Sequence, residues 1–292
     1  MNRVPAAHQD QSTQFTAMAS PCAVLIDTQD ARLGSEVGEL VKAEALRIEA
    51  KFSRYRPSVV TQINETAGQA VTVDPETADL IDYAATCYAL SDGRFDITSG
   101  ALRRVWKFDG SASLPTERQV REVLQCVGWQ RVAWNRPVLQ LRAGMEIDFG
   151  GIGKEYAVDR ALSLAESHTD APVLVNFGGD LRVSGARHDG TPWYVAIENV
   201  DHTGTAAGLL ELLSGALATS GDAHRFVREG DARYGHVLDP TTGWPVLDAP
   251  RSVTVHANTC TEAGLLAKLA LLRGRGAEQF LELESVRAWC IR

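Results

Sequence analysis

The stretch MEIDFGGIGKEYAVDR, residues 145–160, decides how the rest of the chain is read. Met145, Ile147 and Phe149 alternate with polar or small residues, the period of a half-buried strand. Gly150, Gly151 and Gly153 follow at once, and from Tyr156 onward Ala157, Arg160, Ala161 and Leu164 take up helical spacing. The pattern predicts a strand ending on Asp148, a tight turn, and a helix with Lys154 in its first turn. Glycines let the backbone adopt positive φ and let a ligand approach it closely. A carboxylate, a bare backbone and a lysine at a helix N-terminus suit a phosphate or a metal–phosphate pair; a purely structural tight turn is the alternative. The stretch is not a P-loop, which needs Gly where Asp148 stands and Ser or Thr where Glu155 stands. GxGxxG is absent as well, so a dinucleotide fingerprint of that kind is excluded.

Composition narrows the class. With 292 residues, 45% hydrophobic and 23% charged, the chain can bury a sizeable core or two lobes. A net charge of −8 argues against a nucleic-acid partner, which needs a basic face. No apolar run is long enough to span a bilayer. The N-terminus MNRVPAAHQDQSTQF lacks the apolar core of a secretory signal. Five cysteines, Cys22, Cys87, Cys126, Cys260 and Cys290, include no CxxC pair. Reduced, mostly buried thiols and a cytoplasmic location are therefore expected.

Taken in order, residues 1–14 read as a flexible tail and 15–292 as one domain. Cys22 to Ile26 reads as a strand. Ser35 to Phe52 reads as a helix, with Val37, Val41, Ala45, Ile48 and Phe52 on one face. Pro57 breaks the chain after it. Asp74-Pro75 starts another helix, cap then proline, which Gly93 closes. A further helix begins near Pro115. Strands are expected at Val173–Phe177, Trp193–Ile197, Leu209–Leu213 and Ser252–His256, and as a final segment from Val286 to Ile291. His224–Arg228 and Tyr234–Leu238 read as a hairpin, and Thr261–Leu272 as a helix. Strands and helices mix without strict βαβ alternation, which predicts an α+β fold with mixed or antiparallel sheets.

Further polar glycine turns stand at 93–100 (GRFDITSG), 176–180 (NFGGD) and 218–222 (ATSGD), and His236 lies on an expected strand. Asp96 has a simple reading as a helix cap, and a lone strand histidine is usually only hydrogen-bonded. Together with MASPC (18–22), FSRYRP (52–57), VGW (127–129), IDFGGIGKEYAVD (147–159), HVLDPTTGWPV (236–246) and SVTV (252–255), these segments resemble the FAD:protein FMN transferases of the ApbE type. The resemblance runs from about Met18 to Leu272.

It implies two lobes around a flavin cleft. It implies too that FAD is bound and that, with Mg²⁺, its FMN half passes to a threonine of an acceptor flavoprotein with release of AMP. Met18, Tyr55, Arg94, Phe95, Asp96, Asp148, Lys154 and Leu238 match FAD-contacting positions. Gly151 matches a residue whose carbonyl is a metal ligand, and His236 is expected to orient or deprotonate the acceptor hydroxyl. Aromatic and thioether groups suit a flat ring, and a lysine beside glycine backbone suits a pyrophosphate. Two departures from the family pattern stand out, the first of them at the metal. Gly264 and Lys268 stand where the family carries Asp and Thr as magnesium ligands, and Glu155 stands where glycine is usual. A non-catalytic FAD-binding homologue and an FAD pyrophosphatase are the alternative readings.

Overall fold

A computed structural model describes residues 10–108, 114–202, 204–222, 226–230 and 232–292. Strand β1 (Gln11–Ala17) pairs antiparallel with β2 (Ser20–Ile26). Helix α1 (Ala31–Phe52) begins earlier than its apolar period predicts, but the expected face of Val37, Val41, Ala45, Ile48 and Phe52 is buried. Gly34 and Gly38 bring α1 directly onto β1: a Cβ at Gly38 would stand 2.0 Å from Thr13 Oγ1. That packing is why residues 11–14 form a strand and not part of a tail; residues 1–9 lie outside the described residues.

Helix α2 (Val59–Glu65), which the sequence reading missed, starts at a reciprocal cap between Ser58 and Thr61. After β3 (Ala70–Thr72), helix α3 (Pro75–Leu90) opens as expected, with the Asp74 carboxylate accepting the N–H groups of Glu76 and Thr77. Residues Ile97–Arg104 form a 3₁₀ turn. Helix α4 (Glu117–Leu124) is capped by Thr116 and Gln119, and β4 (Ala133–Asn135) and β5 (Val138–Gln140) precede the central stretch.

The expected strand at 145–148 does not form. Its alternation is nonetheless real, since Met145, Ile147 and Phe149 are buried. The partner is the Asn64 side chain, which accepts from Ile147 N–H at 2.8 Å and donates to its carbonyl at 3.0 Å. Asp148 N–H then donates to the Ile97 carbonyl at 2.8 Å. An amide and a loop carbonyl thus replace a neighbouring strand.

Helix α5 (Gly153–Glu166) follows, then β6 (Val173–Phe177), β7 (Asp180–Val183), β8 (Trp193–Glu198), β9 (Ala206–Leu212) and β10 (Gly215–Gly221). Strands β11 (Phe226–Glu229) and β12 (Ala232–Gly235) make the expected hairpin. His224 lies outside the described residues, and β12 stops at Gly235, so His236 is not on a strand. The chain closes with β13 (Ser252–Ala257), α6 (Cys260–Leu272), α7 (Ala277–Leu283) and β14 (Arg287–Ile291).

The elements make an α+β fold of helices and antiparallel sheets, divided into two compact units. The first comprises residues up to Glu49, Lys154–Ala218 and His256–Ala263. In it, β1, β2, β6, β7 and the first part of β10 lie in that order, each pairing antiparallel, beside the separate β8–β9 ribbon. Val173, Leu174 and Val175 are consecutively buried, so β6 is covered on both faces. The second unit comprises Ala50–Gly153, Thr219–Val255 and Gly264–Arg292 and carries the small β3-β5-β4 sheet and the β11–β12 hairpin. One of its cores gathers Ala101, Leu102, Trp106 and Val127. No helix among the described residues is long and apolar enough to cross a membrane.

Candidate functional site

The residues singled out by sequence fall into two clusters, one in each unit. In the first unit, Met18 and Ala19 form the two-residue turn between β1 and β2, with φ of 51° and 55°. Such turns favour Asn-Gly, because side chains with a Cβ pay for positive φ. The turn holds Met18 half-buried at the tip of the hairpin. Beside it, Gly178 and Gly179 turn β6 into β7 with φ of 62° and 91°. A Cβ at Gly178 would stand 2.6 Å from Ser20 Cβ, and its N–H donates to the Pro21 carbonyl at 2.9 Å. The MASPC and NFGGD segments are therefore neighbours.

Lys154 joins them. Its Nζ lies 2.8 Å from Asp180 Oδ2 and donates to the Gly178 carbonyl at 3.3 Å. The Asp180 carboxylate is only 3% exposed. Burial pulls the lysine's pKa down, but the charge and hydrogen bond of Asp180 outweigh it and leave it raised. Asp159 caps the start of α6, accepting from Cys260 and Thr261 N–H at 2.9 Å, and pairs with Arg182 at 3.0 Å. The Cys260 thiol is pushed well up, first by burial and then by the carboxylates of Asp180, Glu155 and Asp159. It is an inert core thiol at neutral pH.

In the second unit, Asp148 is held from two sides. Oδ1 accepts the Gly150 N–H at 2.8 Å, and Oδ2 pairs with Arg54 Nη1. Arg54 Nη2 donates to the Tyr55 hydroxyl at 2.6 Å, and its guanidinium lies 4.9 Å from the centre of the Tyr55 ring. Burial lowers the guanidinium's pKa, but Asp148 and Tyr55 more than compensate and leave it raised. Gly100 permits the approach, since a Cβ there would stand 2.7 Å from Asp148 Cβ.

The Arg94-Phe95-Asp96 run sits at the foot of this group. Asp96 is buried and caps the 3₁₀ turn, accepting from Thr98 N–H at 2.7 Å, Thr98 Oγ1 at 2.6 Å and Trp129 N–H at 2.9 Å. Burial raises its pKa against those bonds. Thr98 Oγ1 accepts from Gly128 N–H, so the GRFDITSG and VGW segments meet. Phe95 is 6% exposed and packs under Gly151, whose Cβ would come within 3.1 Å of the ring. Arg94 reaches Asp239 at 3.4 Å, in a turn where Asp239 also accepts from Thr241. Leu238 bridges to Pro245 and packs on the Trp106 core. His236 is half-buried, its ring edge-on to Phe108 with centroids 6.3 Å apart.

Lys268 stands one helical turn after Gly264 and donates to its carbonyl at 3.4 Å. An ammonium therefore lies where the resemblance places magnesium-binding side chains. Among the described residues no group of three or more His, Cys, Asp or Glu could hold a metal ion. These residues do not fit a magnesium ion held by protein carboxylates at this helix.

Tertiary structure thus gathers Met18 with Lys154 in the first unit. In the second it gathers Tyr55 with Asp148, and Arg94 with the turn that follows Leu238. It adds Arg54 and Asp180 as the groups that fix Asp148 and Lys154. NFGGD had marked Asp180 as a strand-end residue, and Arg54 lies within the FSRYRP segment, but only its neighbour Tyr55 was singled out there.

The chain matches the ApbE family model over residues 18–290. An FAD:protein FMN transferase of Vibrio cholerae is 28% identical over 250 residues, covering 83% of this chain and 73% of that protein. One of Salmonella typhimurium is 27% identical over 307 residues, covering 94% and 86%. The crystal structure of an ApbE protein from Thermotoga maritima superposes with a TM-score of 0.87 at 30% identity, covering 97% of this chain and 94% of that one. A Pseudomonas stutzeri flavinyl transferase shares the fold, with a TM-score of 0.85 at 24% identity over 97% and 92%. The chain belongs to the ApbE family.

Proposed function

We propose that this protein is an FAD:protein FMN transferase, moving FMN from FAD to a threonine of an acceptor flavoprotein and releasing AMP. The observation that carries the reading is the family match across residues 18–290, with relatives of that name aligned over most of both chains. In the step proposed, the threonine Oγ attacks the phosphorus on the FMN side of the pyrophosphate. A P–O bond forms there, the bond from that phosphorus to the bridging oxygen breaks, and AMP leaves with that oxygen.

The hydroxyl proton passes to His236, since imidazole accepts a proton near neutral pH. Lys154 has three donors, of which Asp180 and the Gly178 carbonyl engage two; the third serves a phosphate oxygen. Met18 and Tyr55 offer a thioether and an aromatic ring to the flat parts of FAD. Within the second unit, Asp148 and the Arg94-Phe95-Asp96 run shape the backbone near Tyr55, and Leu238 offers an apolar surface.

The replaced side chains at Gly264 and Lys268 favour one rival, an FAD-binding homologue without transfer activity. Incubation with FAD and a threonine-bearing acceptor peptide separates the readings. Flavin covalently on the peptide, with AMP released in equal amount, is the expected result. Free FMN with AMP would mean a pyrophosphatase, and unchanged FAD a binder.

A further inference from the structure

We propose that Arg54 is a positioning residue, converting Tyr55 into a fixed stacking plate for a flat ring of bound FAD; this rests on the reading of FAD as ligand. Tyr55 is 78% exposed, unusual for a large aromatic with a structural duty. An exposed side chain of this kind would ordinarily turn among its rotamers, and binding would have to arrest it. Here the ring is held already. Arg54 donates to the hydroxyl at 2.6 Å and lays its guanidinium 4.9 Å from the ring centre. Ser53 Oγ accepts the Tyr55 N–H at 3.1 Å, fixing the backbone beneath.

Arg54 is itself anchored. Its other arm pairs with Asp148, which the Gly150 N–H holds at 2.8 Å and which packs against Gly100. Arginine suits this role because a planar fork can serve a carboxylate and a hydroxyl at once while stacking on a ring. Lysine, a point charge on a flexible stem, cannot do all three. The exposed ring is thus anchored, through one guanidinium, to the glycine-rich stretch.

The test is a double-mutant cycle read by FAD binding. Wild type, Arg54→Ala, Tyr55→Leu and the double variant are titrated with FAD, following heat and flavin fluorescence quenching. Each single variant should lose about tenfold in affinity, the worth of one aromatic stacking contact. The double variant should be no weaker than the weaker single, because Arg54 acts through Tyr55. Additive losses, about a hundredfold together, would overturn the proposal. Tyr55→Phe keeps the ring and deletes only the oxygen that Arg54 holds, so it decides the matter even if Arg54→Ala fails to fold. Reduced affinity and weaker quenching are expected of it; wild-type values for both would overturn the role of Arg54. Wild type that does not bind FAD would overturn the ligand reading instead.

Discussion

Lys154 Nζ stands 2.8 Å from Asp180 Oδ2, a carboxylate almost wholly removed from solvent. A lysine expected to serve a phosphate is thus also the counter-ion of a buried acid. Removing one member of a buried pair costs about 3–5 kcal/mol, because the other charge is left stranded. With 28% of the lysine side chain exposed, the lower end is expected here. Lys154→Ala should therefore lower stability by about 3 kcal/mol in denaturant unfolding, besides weakening FAD. Lys154→Ala with Asp180→Asn should recover part of that loss. Because the lysine pKa is raised in the folded state, the pair's stabilisation is complete at neutral pH. It fades only as pH climbs above the ordinary lysine value of 10.5 and through the raised one.

Asp74 shows the opposite sign. It caps α3 and accepts from Lys51 at 2.6 Å. Burial raises its pKa, but bonds from Lys51 and Thr77 outweigh that and leave it lowered. A depressed acid stabilises the fold above its unfolded value, 3.8, and loses that contribution as pH falls through the folded one. Asp74→Ala should cost about 1–2 kcal/mol, the range for losing an N-cap. Acid unfolding curves should converge with wild type below pH 3.8.

Ala19 offers a gain. Its φ of 55° is one that glycine adopts freely and alanine does not. Ala19→Gly should raise stability by roughly 1 kcal/mol, net of the entropy glycine adds to the unfolded chain. The melting temperature should rise by a few degrees with FAD affinity unchanged. A lower melting temperature would show that the turn carries no such strain.

Lys268 sits against the Gly264 carbonyl at 3.4 Å. One positive charge about 4 Å from a phosphate is worth roughly 4 kcal/mol at an effective dielectric near 20, about half what a divalent ion supplies. FAD affinity of wild type should therefore survive excess EDTA and fall in Lys268→Ala, while turnover stays slow. Calorimetry with and without chelator checks this, and a strict magnesium requirement for binding would refute it.

Patterns local to the sequence were legible. Asp74-Pro75 announced α3, the period of Val37 to Phe52 announced a buried face of α1, and Lys154 does lie in the first turn of α5. Met145, Ile147 and Phe149 are buried in alternation, yet they make no strand. Alternation reports which side chains face the core and says nothing of who accepts the backbone hydrogen bonds. Here that is Asn64, 83 residues away. His236 misled in the same way, because β12 ends one residue before it.

The sequence by itself determined the family and the residue types available to the site, because those reside in collinear motifs. It also determined the helix starts, because caps and prolines act within a few residues. Tertiary structure alone decided what each polar group does. Asp96, beyond the local cap it forms on Thr98, holds Trp129 N–H, Phe95 lies beneath Gly151, and Lys154 is bound to Asp180. Arg54, which the FSRYRP segment contains without showing its partners, holds both Asp148 and Tyr55. A charge's role depends on its partners and its burial, and both are set by segments far apart in the chain.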